Sequence, residues 1–561
     1  MSPQHRPSSR KRKRTNAPRT ISTKLKKKSK IHQATFSYDD PDTHKINLPG
    51  FTPSRTPGAH LNVPLSRNSM TRAIDFFGLF FTDEIIDEIC RHTNTYAWQN
   101  IHAKKSYADK NGAWKETNPA EMKKFIACLI YQGLVKVPTI DRYWSTRSLY
   151  HGLWARVMIS RERFQALLSM LHIVDPTAEI DKTDKLRKVR PLINKFKSRC
   201  RELYQPDQNV AVDERLVKSK HRSGIRQYIK NKPVKFGIKL WVVAESKSGY
   251  TWDFNVYTGK GSNPKHKSEH GLGYDVVMEL MDQLLQQGYH VFFDNFYTSV
   301  PLVTALWNKN TPSCGTVTEN RKGFPETMKN GKSWAKKKER GDMRWRRDGN
   351  ILAVQWIDNK LVTMLSSIDC ANEYVEVNRK KKINNKWNEL TVKQPYVIHR
   401  YNRFMNGVDR SDQILAKYNL LRKCVRWWKT LFYHLIDIAT VNGYILFKAI
   451  QKERQVIMKR RKRFSLLDFR EELVRDLIEI EEFGNPPVHS VTPVYGKYHS
   501  AHLPKFGSNR RNCRVCYTLE KKVEKVFSYC SAPQCNNVPL HCTATRDCFS
   551  IWHSSDYHSK H

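Results

Sequence analysis

The sequence predicts a multidomain chain of α/β plus α class, with a mixed α/β core set between helical stretches and followed by a cysteine-rich end. Three observations predict it. Apolar residues recur at helical spacing from Thr71 to Tyr204, short β-branched and aromatic segments replace them from Asn209, and six of the 12 cysteines crowd between Cys513 and Cys548. A chain of 561 residues has room for several domains, since one domain takes about 100–200 residues. Its hydrophobic content of 39% allows sizeable cores.

The chain opens with two basic runs, Arg10 to Arg14 and Lys24 to Lys30, and its first thirty residues hold no acid. Such a tract repels itself and builds no core. Residues 1–70 therefore read as a disordered basic tail and linker, best used for nuclear import. Residues 71–208 read as a helical domain. Asn118-Pro119-Ala120-Glu121 supplies a cap, a first-turn proline and an acid at the third helical position. Met122, Phe125, Ile126, Leu129 and Ile130 then form one stripe that Gly133 can end. Similar stripes follow Ser160 (Phe164, Leu167, Leu168, Leu171) and run through Ile193, Phe196, Cys200 and Leu203.

From Asn209 the pattern gives strands over 209–214, 235–244 and 251–258, a helix over 275–287 closed by Gly288, and a strand over 289–294. A helix over 300–308 and a strand near 314–317 complete the first part of the core, 209–319. Residues 320–395, rich in Lys, Arg and Asn with two strands (351–356 and 361–365), read as an insertion. The core resumes at 396–418, helices occupy 419–483, a Pro- and Gly-bearing linker covers 484–510, and 511–561 is the cysteine-rich module.

The formal charge is +45. A field of that size attracts polyanions, nucleic acid first among them and a membrane surface second. Leu431 to Ile450 is the most apolar stretch, but His434, Asp437, Asn442 and Lys448 lie within it. These groups are expensive in hydrocarbon, so a buried helix and no membrane partner are expected. No apolar signal segment opens the chain, which is expected to be intracellular.

Cleavage of phosphodiesters by two metals needs several carboxylates converging on ions about 3.5–4 Å apart. Asp213 ends the apolar run Val210-Ala-Val, and Asp294 ends Val291-Phe-Phe. Strand-end carboxylates meet if their strands are parallel neighbours. Asp409 and Asp412 follow Asn406-Gly-Val at a spacing that shares a helix face. Each Asp taken alone is equally a cap or turn residue.

Asn209-Val-Ala-Val-Asp213-Glu214, Tyr228 to Lys239, Phe293-Asp294-Asn-Phe-Tyr-Thr-Ser299 and Met405-Asn-Gly-Val-Asp409-Arg-Ser-Asp412 together resemble piggyBac-type transposases, in order and spacing from about Asp75 to Ile450. The resemblance implies a ribonuclease H-like catalytic core interrupted by an insertion and flanked by an all-helical dimerisation and DNA-binding domain. It implies cut-and-paste transposition by a magnesium-dependent enzyme with two Mg2+ per site. Asp213, Asp294 and Asp409 would be the metal ligands and Asp412 an additional acid. The implied partners are transposon terminal inverted repeats, a TTAA target and a second copy of the chain. Asn295 and Trp427 match family positions near the DNA, and Arg422, Lys423, Arg426 and Lys429 form a basic cluster beside aromatic rings suited to backbone contact and stacking. A domesticated DNA-binding or chromatin protein without catalysis is the alternative, and an adaptor acting through the cysteine module a third.

In a reducing compartment the cysteine cluster reads as metal ligands. Cys513, Cys516, Cys530, Cys535, Cys542, Cys548 and His553, with His558 or His541 as an eighth, would hold two Zn2+. How they pair is not readable from spacing, and the family ends in a similar module.

Overall fold

A computed structural model of the chain describes residues 35–61, 70–103, 114–179, 181–230, 234–259, 268–383, 385–420, 424, 426–455, 464–479, 502, 504–532, 535–543, 545–554 and 557. They fall into two compact units divided between Glu481 and Glu482.

The first unit combines helices with one sheet that has nine strands among the described residues. The helices before the sheet include α1 (Ala73–Gly78), α2 (Asp83–Ala103), α3 (Pro119–Leu134), α4 (Arg161–Met170) and α5 (Arg190–Leu203). The expected caps form: Asn118 accepts from the Glu121 amide at 2.9 Å and Ser160 from that of Arg163 at 3.2 Å. Gly133 does not end α3. It lies inside the last turn, where an added Cβ would stand 2.6 Å from the Tyr418 carbonyl oxygen.

The sheet is built from β1 (Asn209–Lys218), β2 (Arg226–Tyr228), β3 (Phe236–Glu245), β4 (Thr251–Val256), β5 (His290–Phe293), β6 (Ser313–Thr316), β7 (Met343–Asp348), β8 (Ile351–Ile357) and β9 (Leu361–Ser366). Its order is β2-β3-β1-β5-β6-β9-β8-β7, with β4 also on β3. The strands β1, β5 and β6 run parallel, and α6 (Leu272–Met281) and α7 (Val300–Trp307) lie in the connections. The strands β1, β3 and β4 are antiparallel.

Two expectations change here. The strands at 351–357 and 361–366 do form, but β9 pairs with β6 (Leu365 opposite Gly315), so residues 343–366 widen the main sheet rather than stand apart from it. Among the described residues of 320–395, only the hairpin β10 (Tyr374–Ile383) and β11 (Lys386–Pro395) forms a sheet of its own. Nor is all of 1–70 a loose tail. Residues 1–34 and 62–69 lie outside the described residues, but 35–61 form a strap. Phe36 bridges Trp345 on the outer strand β7, Trp345 Nε1 donates to the Ser37 carbonyl at 2.8 Å, and Asp42 pairs with Arg347 at 2.5 Å with both side chains buried. Further on, Gly58 and Ala59 pair with Gln205 and Tyr204. The strap holds because its aromatic and acidic residues bury against the sheet, an option the basic run upstream lacks.

After β11 come α8 (Tyr396–Phe404), α9 (Gly407–Lys417), α10 (Trp427–Gln455) and α11 (Leu466–Leu477). By length and composition α10 alone among the described residues could cross a membrane, yet 94% of its apolar window is buried inside the protein. Its polar groups explain why it stays there. Asn442 accepts from the Thr251 amide at 3.0 Å and donates to the Thr251 carbonyl at 2.9 Å, splicing the helix to β4. Asp437 accepts from the Leu420 amide at 2.9 Å and from Arg470 of α11 at 3.1 Å. Both charged side chains are fully buried, and burial pushes Asp437 up to about 6 even beside the guanidinium.

Removing one partner of such a pair costs about 3–5 kcal/mol, because the other charge is left in the core. Arg470→Met should therefore lower unfolding free energy by about that amount at pH 8, measured by urea unfolding. The raised carboxyl takes up a proton more readily folded than unfolded, so stability is lost as pH rises through about 6. The deficit should accordingly shrink at pH 5, and adding Asp437→Asn should recover part of it at pH 8. A deficit that ignores both pH and the second change would show that no stranded charge is responsible.

Candidate active site and metal centres

The parallel ladder between β1 and β5 ends at Val212 opposite Phe293. Asp213 and Asp294 are the next residues on the two strands. Neighbouring strands lie about 4.8 Å apart, so these two acids emerge side by side at the carboxyl end of the parallel pair. Asp213 does not end its own strand, because β1 continues to Lys218 against β3. What ends there is its parallel neighbour, and that opens space beside the carboxylate. Asp294 is half-buried and Oδ1 accepts from the Phe296 amide at 2.8 Å; Asp213 is 9% exposed and Oδ1 accepts from the Glu214 amide at 2.7 Å. Each carboxylate is oriented by the turn or strand that carries it.

The helix α9 delivers the third acid. An added Cβ on Gly407 would lie 3.2 Å from the Ala211 Cβ, so the helix starts directly on β1. Four residues later Ser411 accepts from Arg215 Nη2 at 2.8 Å, and Asp412 ion-pairs with Arg215 Nε. Ala211, Asp213 and Arg215 alternate onto one face of the strand. Asp409, between Gly407 and Ser411, is thus held along the segment that contains Asp213, and its side chain is exposed. Asp412 has a different setting from the other three. Its partner Arg215 is 2% exposed and also donates to Thr251 Oγ1 at 3.3 Å, so Asp412 locks α9 onto the sheet. A cavity of about 980 Å3 lined by Asp409, Asp412, Glu214, Arg215, Lys136 and His434 opens beside this corner.

Two tyrosines that spacing alone did not single out complete the site. Burial raises the Tyr297 hydroxyl well above its ordinary range, and the carboxylates of Asp213, Glu214 and Asp294 raise it further. Burial likewise raises Tyr401 on α8, with Asp294 and Asp213 among the contributing charges. Both rings therefore sense both acids. Among the described residues the three aspartates do not bring ligand atoms within 4.8 Å of one another, as the two C-terminal groups do. Carboxylates shared between two ions need not approach so closely, and bare ones repel. The donor set is hard oxygen, the kind magnesium prefers.

The proposed nucleic-acid contacts separate. Asn295 is exposed beside Asp294, and its carbonyl accepts from Arg321 at 2.6 Å. Trp427 is half-buried against the main core. Arg426 donates to the Tyr96 hydroxyl at 3.1 Å and lies 5.2 Å from that ring. Lys429 leaves the set: it is 5% exposed and donates inward to the Leu168 carbonyl. Arg422 and Lys423 lie outside the described residues.

The second unit holds two metal-ligand groups, Cys513, Cys516, His541 and Cys548 in one and His502, Cys530, Cys535 and His553 in the other. Cys516 lies in α12 (Arg514–Glu520), Cys530 ends β13 (Lys525–Cys530), which pairs with β12 (Pro504–Asn512), and Cys548 begins α13 (Cys548–Trp552). The ligands interleave along the chain, so each group straddles parts of the other. Separations of 3.2 to 3.5 Å, such as Cys535 to His502 Nδ1 and Cys516 to Cys548, approach the edges of a tetrahedron with metal–ligand bonds of about 2.0–2.3 Å. Supporting contacts orient two of the three imidazoles. Glu524 lies 3.5 Å from His541 Nε2, and the Phe549 carbonyl 2.7 Å from His553 Nδ1, leaving Nδ1 and Nε2 respectively to face the centre. His541 is the eighth-ligand alternative that the structure places in a group, while His558 lies outside the described residues. Among the described residues Cys542 joins neither group, and its neighbour His541 is the one that reaches Cys516 and Cys548. His502, which the sequence reading left in the linker, takes the remaining place.

The family described as Transposase IS4 matches residues 72–444. Among curated relatives, human PiggyBac transposable element-derived protein 3 is 31% identical over 425 residues, 74% of this chain and 66% of that protein. Human PiggyBac transposable element-derived protein 2 is 29% identical over 390 residues, 68% of this chain and 62% of its own length. The chain thus spans just under two thirds of these relatives. A cryo-EM structure of a piggyBac transposase synaptic complex with hairpin DNA superposes with a TM-score of 0.62 at 27% identity, covering 76% of this chain and 83% of that one. Fold, motifs and matched residues agree, and the chain belongs to the piggyBac-type transposase family.

Proposed function

We propose that the chain is a nuclear cut-and-paste DNA transposase that works by two-metal phosphoryl transfer from a ribonuclease H-like core. The observation that carries this reading is the adjacency of Asp213 and Asp294 at the end of the β1–β5 pairing, with Asp409 laid along the same strand. The strand arrangement supports the core assignment: three antiparallel strands whose first member also begins a parallel run of three. The match to a transposase that was solved with hairpin DNA, and the net charge of +45, support DNA as substrate.

Asp213, Asp294 and Asp409 would hold two magnesium ions, which when bound activate the attacking oxygen and stabilise the leaving one. The chain's own residues do the rest. The Asx turn at Asp294 and the Asp412–Arg215 clamp fix the positions of the acids. Tyr297 and Tyr401 remain neutral beside the acids, since burial disfavours their charged forms. Water attacks first at the transposon end, and the freed 3′-hydroxyl attacks the opposite strand to give a hairpin. Opening of that hairpin and joining at TTAA complete the cycle, in a homodimer. The cysteine-rich module binds two zinc ions and grips the terminal repeat. A second reading, a domesticated DNA binder, draws on the matched human proteins being named as derived from transposable elements.

Excision of an element bearing the chain's own flanking ends distinguishes them. Asp213→Ala, Asp294→Ala and Asp409→Ala should each reduce excision at least a hundredfold while end-DNA affinity changes less than threefold. Wild-type excision by any one variant removes that residue from the catalytic set, and no excision by the wild-type chain favours the binder. Metal analysis of the purified chain should give two zinc ions. His502→Ala should halve that number, whereas Cys542→Ser leaves it at two; a stoichiometry unmoved by His502→Ala would refute the assigned ligand set.

A further inference from the structure

The hairpin β10–β11 stands on the sheet unlike any other element. Its ten paired positions run from Tyr374 opposite Pro395 to Ile383 opposite Lys386. At about 3.4 Å per residue the ribbon is roughly 30 Å long. The root is braced. Val392 is buried in the core cluster around Trp345 and Trp356, and Tyr38 of the strap packs edge-on against Tyr374 at 5.5 Å. Arg340 donates to the Lys380 carbonyl at 3.3 Å, and Arg379 reaches Asp358 at 3.2 Å. Lys380, Lys381, Lys382, Asn388, Glu389 and Leu390 are exposed, and Trp387 is 69% exposed. Asn385, next to the end of the ribbon, has φ +61°, a left-handed conformation that hairpin turns favour.

Lysines on a free edge can simply discourage edge-to-edge pairing. That explanation does not cover an indole left in water next to them. Lys382 pairs with Trp387, and Lys380 lies two residues back, so these three share one face of the ribbon. From Arg379 to Leu390 the sequence holds five basic residues and one acid. A narrow two-stranded ribbon, basic along its length and aromatic near its tip, has the shape and charge of a groove reader, since the major groove of about 12 Å admits a two-stranded β-ribbon. Its root also lies close to the chemistry. The ribbon leads directly into α8, and Tyr401, which senses Asp213 and Asp294, comes six residues after Pro395, a rise of about 9 Å.

We propose that β10–β11 is a DNA-binding ribbon that lies in the groove of the duplex leading to the active site, with Lys380 and Lys382 on phosphates and Trp387 packed against the nucleic acid. This rests on the DNA-handling function proposed above. It adds a contact surface outside the helical segments and outside the cysteine-rich module.

The test is fluorescence anisotropy of the full chain with a labelled 30-base-pair duplex of mixed sequence, over a series of salt concentrations. Lys380→Gln/Lys382→Gln should weaken binding tenfold or more and reduce the slope of log affinity against log salt by about two, near 0.9 per lost phosphate contact. Trp387→Ala should weaken binding about tenfold with an unchanged slope. Lys336→Gln/Lys337→Gln removes the same charge from another exposed stretch and should change affinity less than threefold. Equal effects from the two lysine pairs would reduce the ribbon to bulk charge and overturn the proposal, as would variants that bind like wild type. A Trp387→Ala change that alters the sedimenting mass but not DNA affinity would make the ribbon a protein contact and overturn it too. Failure of the wild-type chain to bind the duplex would overturn the function itself, so the two failures are distinguishable. All changed side chains are exposed, and unchanged thermal unfolding would confirm that the variants fold.

Discussion

Acidic groups placed next to one another repel, and the first unit is organised around holding such groups in one corner. The register between β1 and β5 does this most directly, because a parallel pair that ends at Val212 and Phe293 must bring out Asp213 and Asp294 on adjacent strands. A shift of one residue would turn one of the two to the opposite face of the sheet. The register is secured by complete burial of Val210, Ala211, Val212, Val291, Phe292 and Phe293. Hydrophobic burial thus does the electrostatic work of keeping like charges together. The third acid arrives by a different device: a glycine that allows helix and strand to touch, and an arginine buried beneath the helix. The position of Asp409 in that corner depends on Gly407, Ser411 and Asp412, which seat its helix on the strand.

This division explains what the sequence could and could not disclose. An apolar run ending in an acid is visible in one dimension, and Asp213 and Asp294 were legible for that reason. The caps at Asn118 and Ser160 were legible because they act over three residues. Tyr297 and Tyr401 were not, since their relation to the acids exists only after β5, the turn following it and α8 have packed. Lys429 misled because a lysine that donates inward to a carbonyl reads the same as one in solvent. The outer strand β7 was hidden by its charge, since Arg344, Arg346 and Arg347 obscure its alternation; β8 and β9 were readable as strands, but the pairing of β9 with β6 joins segments that no local signal connects. His502 was missed because a lone histidine among prolines and glycines carries no spacing.

The second unit uses another principle. Four of the ten residues in its buried cluster are cysteines, and burial together with neighbouring thiols pushes Cys548 up to about 12. A cluster of that kind stays protonated unless a cation takes up the charge. The interleaved ligand order means that chain between two ligands of one group supplies ligands to the other. Neither group encloses a self-contained loop.

The strap gives the N-terminal segment a place in the timing of folding. Ser37 meets Trp345, a partner 308 positions later in the chain. At about 5–20 residues per second of synthesis, that separation corresponds to roughly 15–60 s on the ribosome. Throughout that interval Phe36 and Tyr38 have no native surface to cover, and the outer strand they will border does not yet exist. The strap is therefore made 308 residues before the strand it borders, and a newly made chain must keep those aromatic residues from finding other partners first.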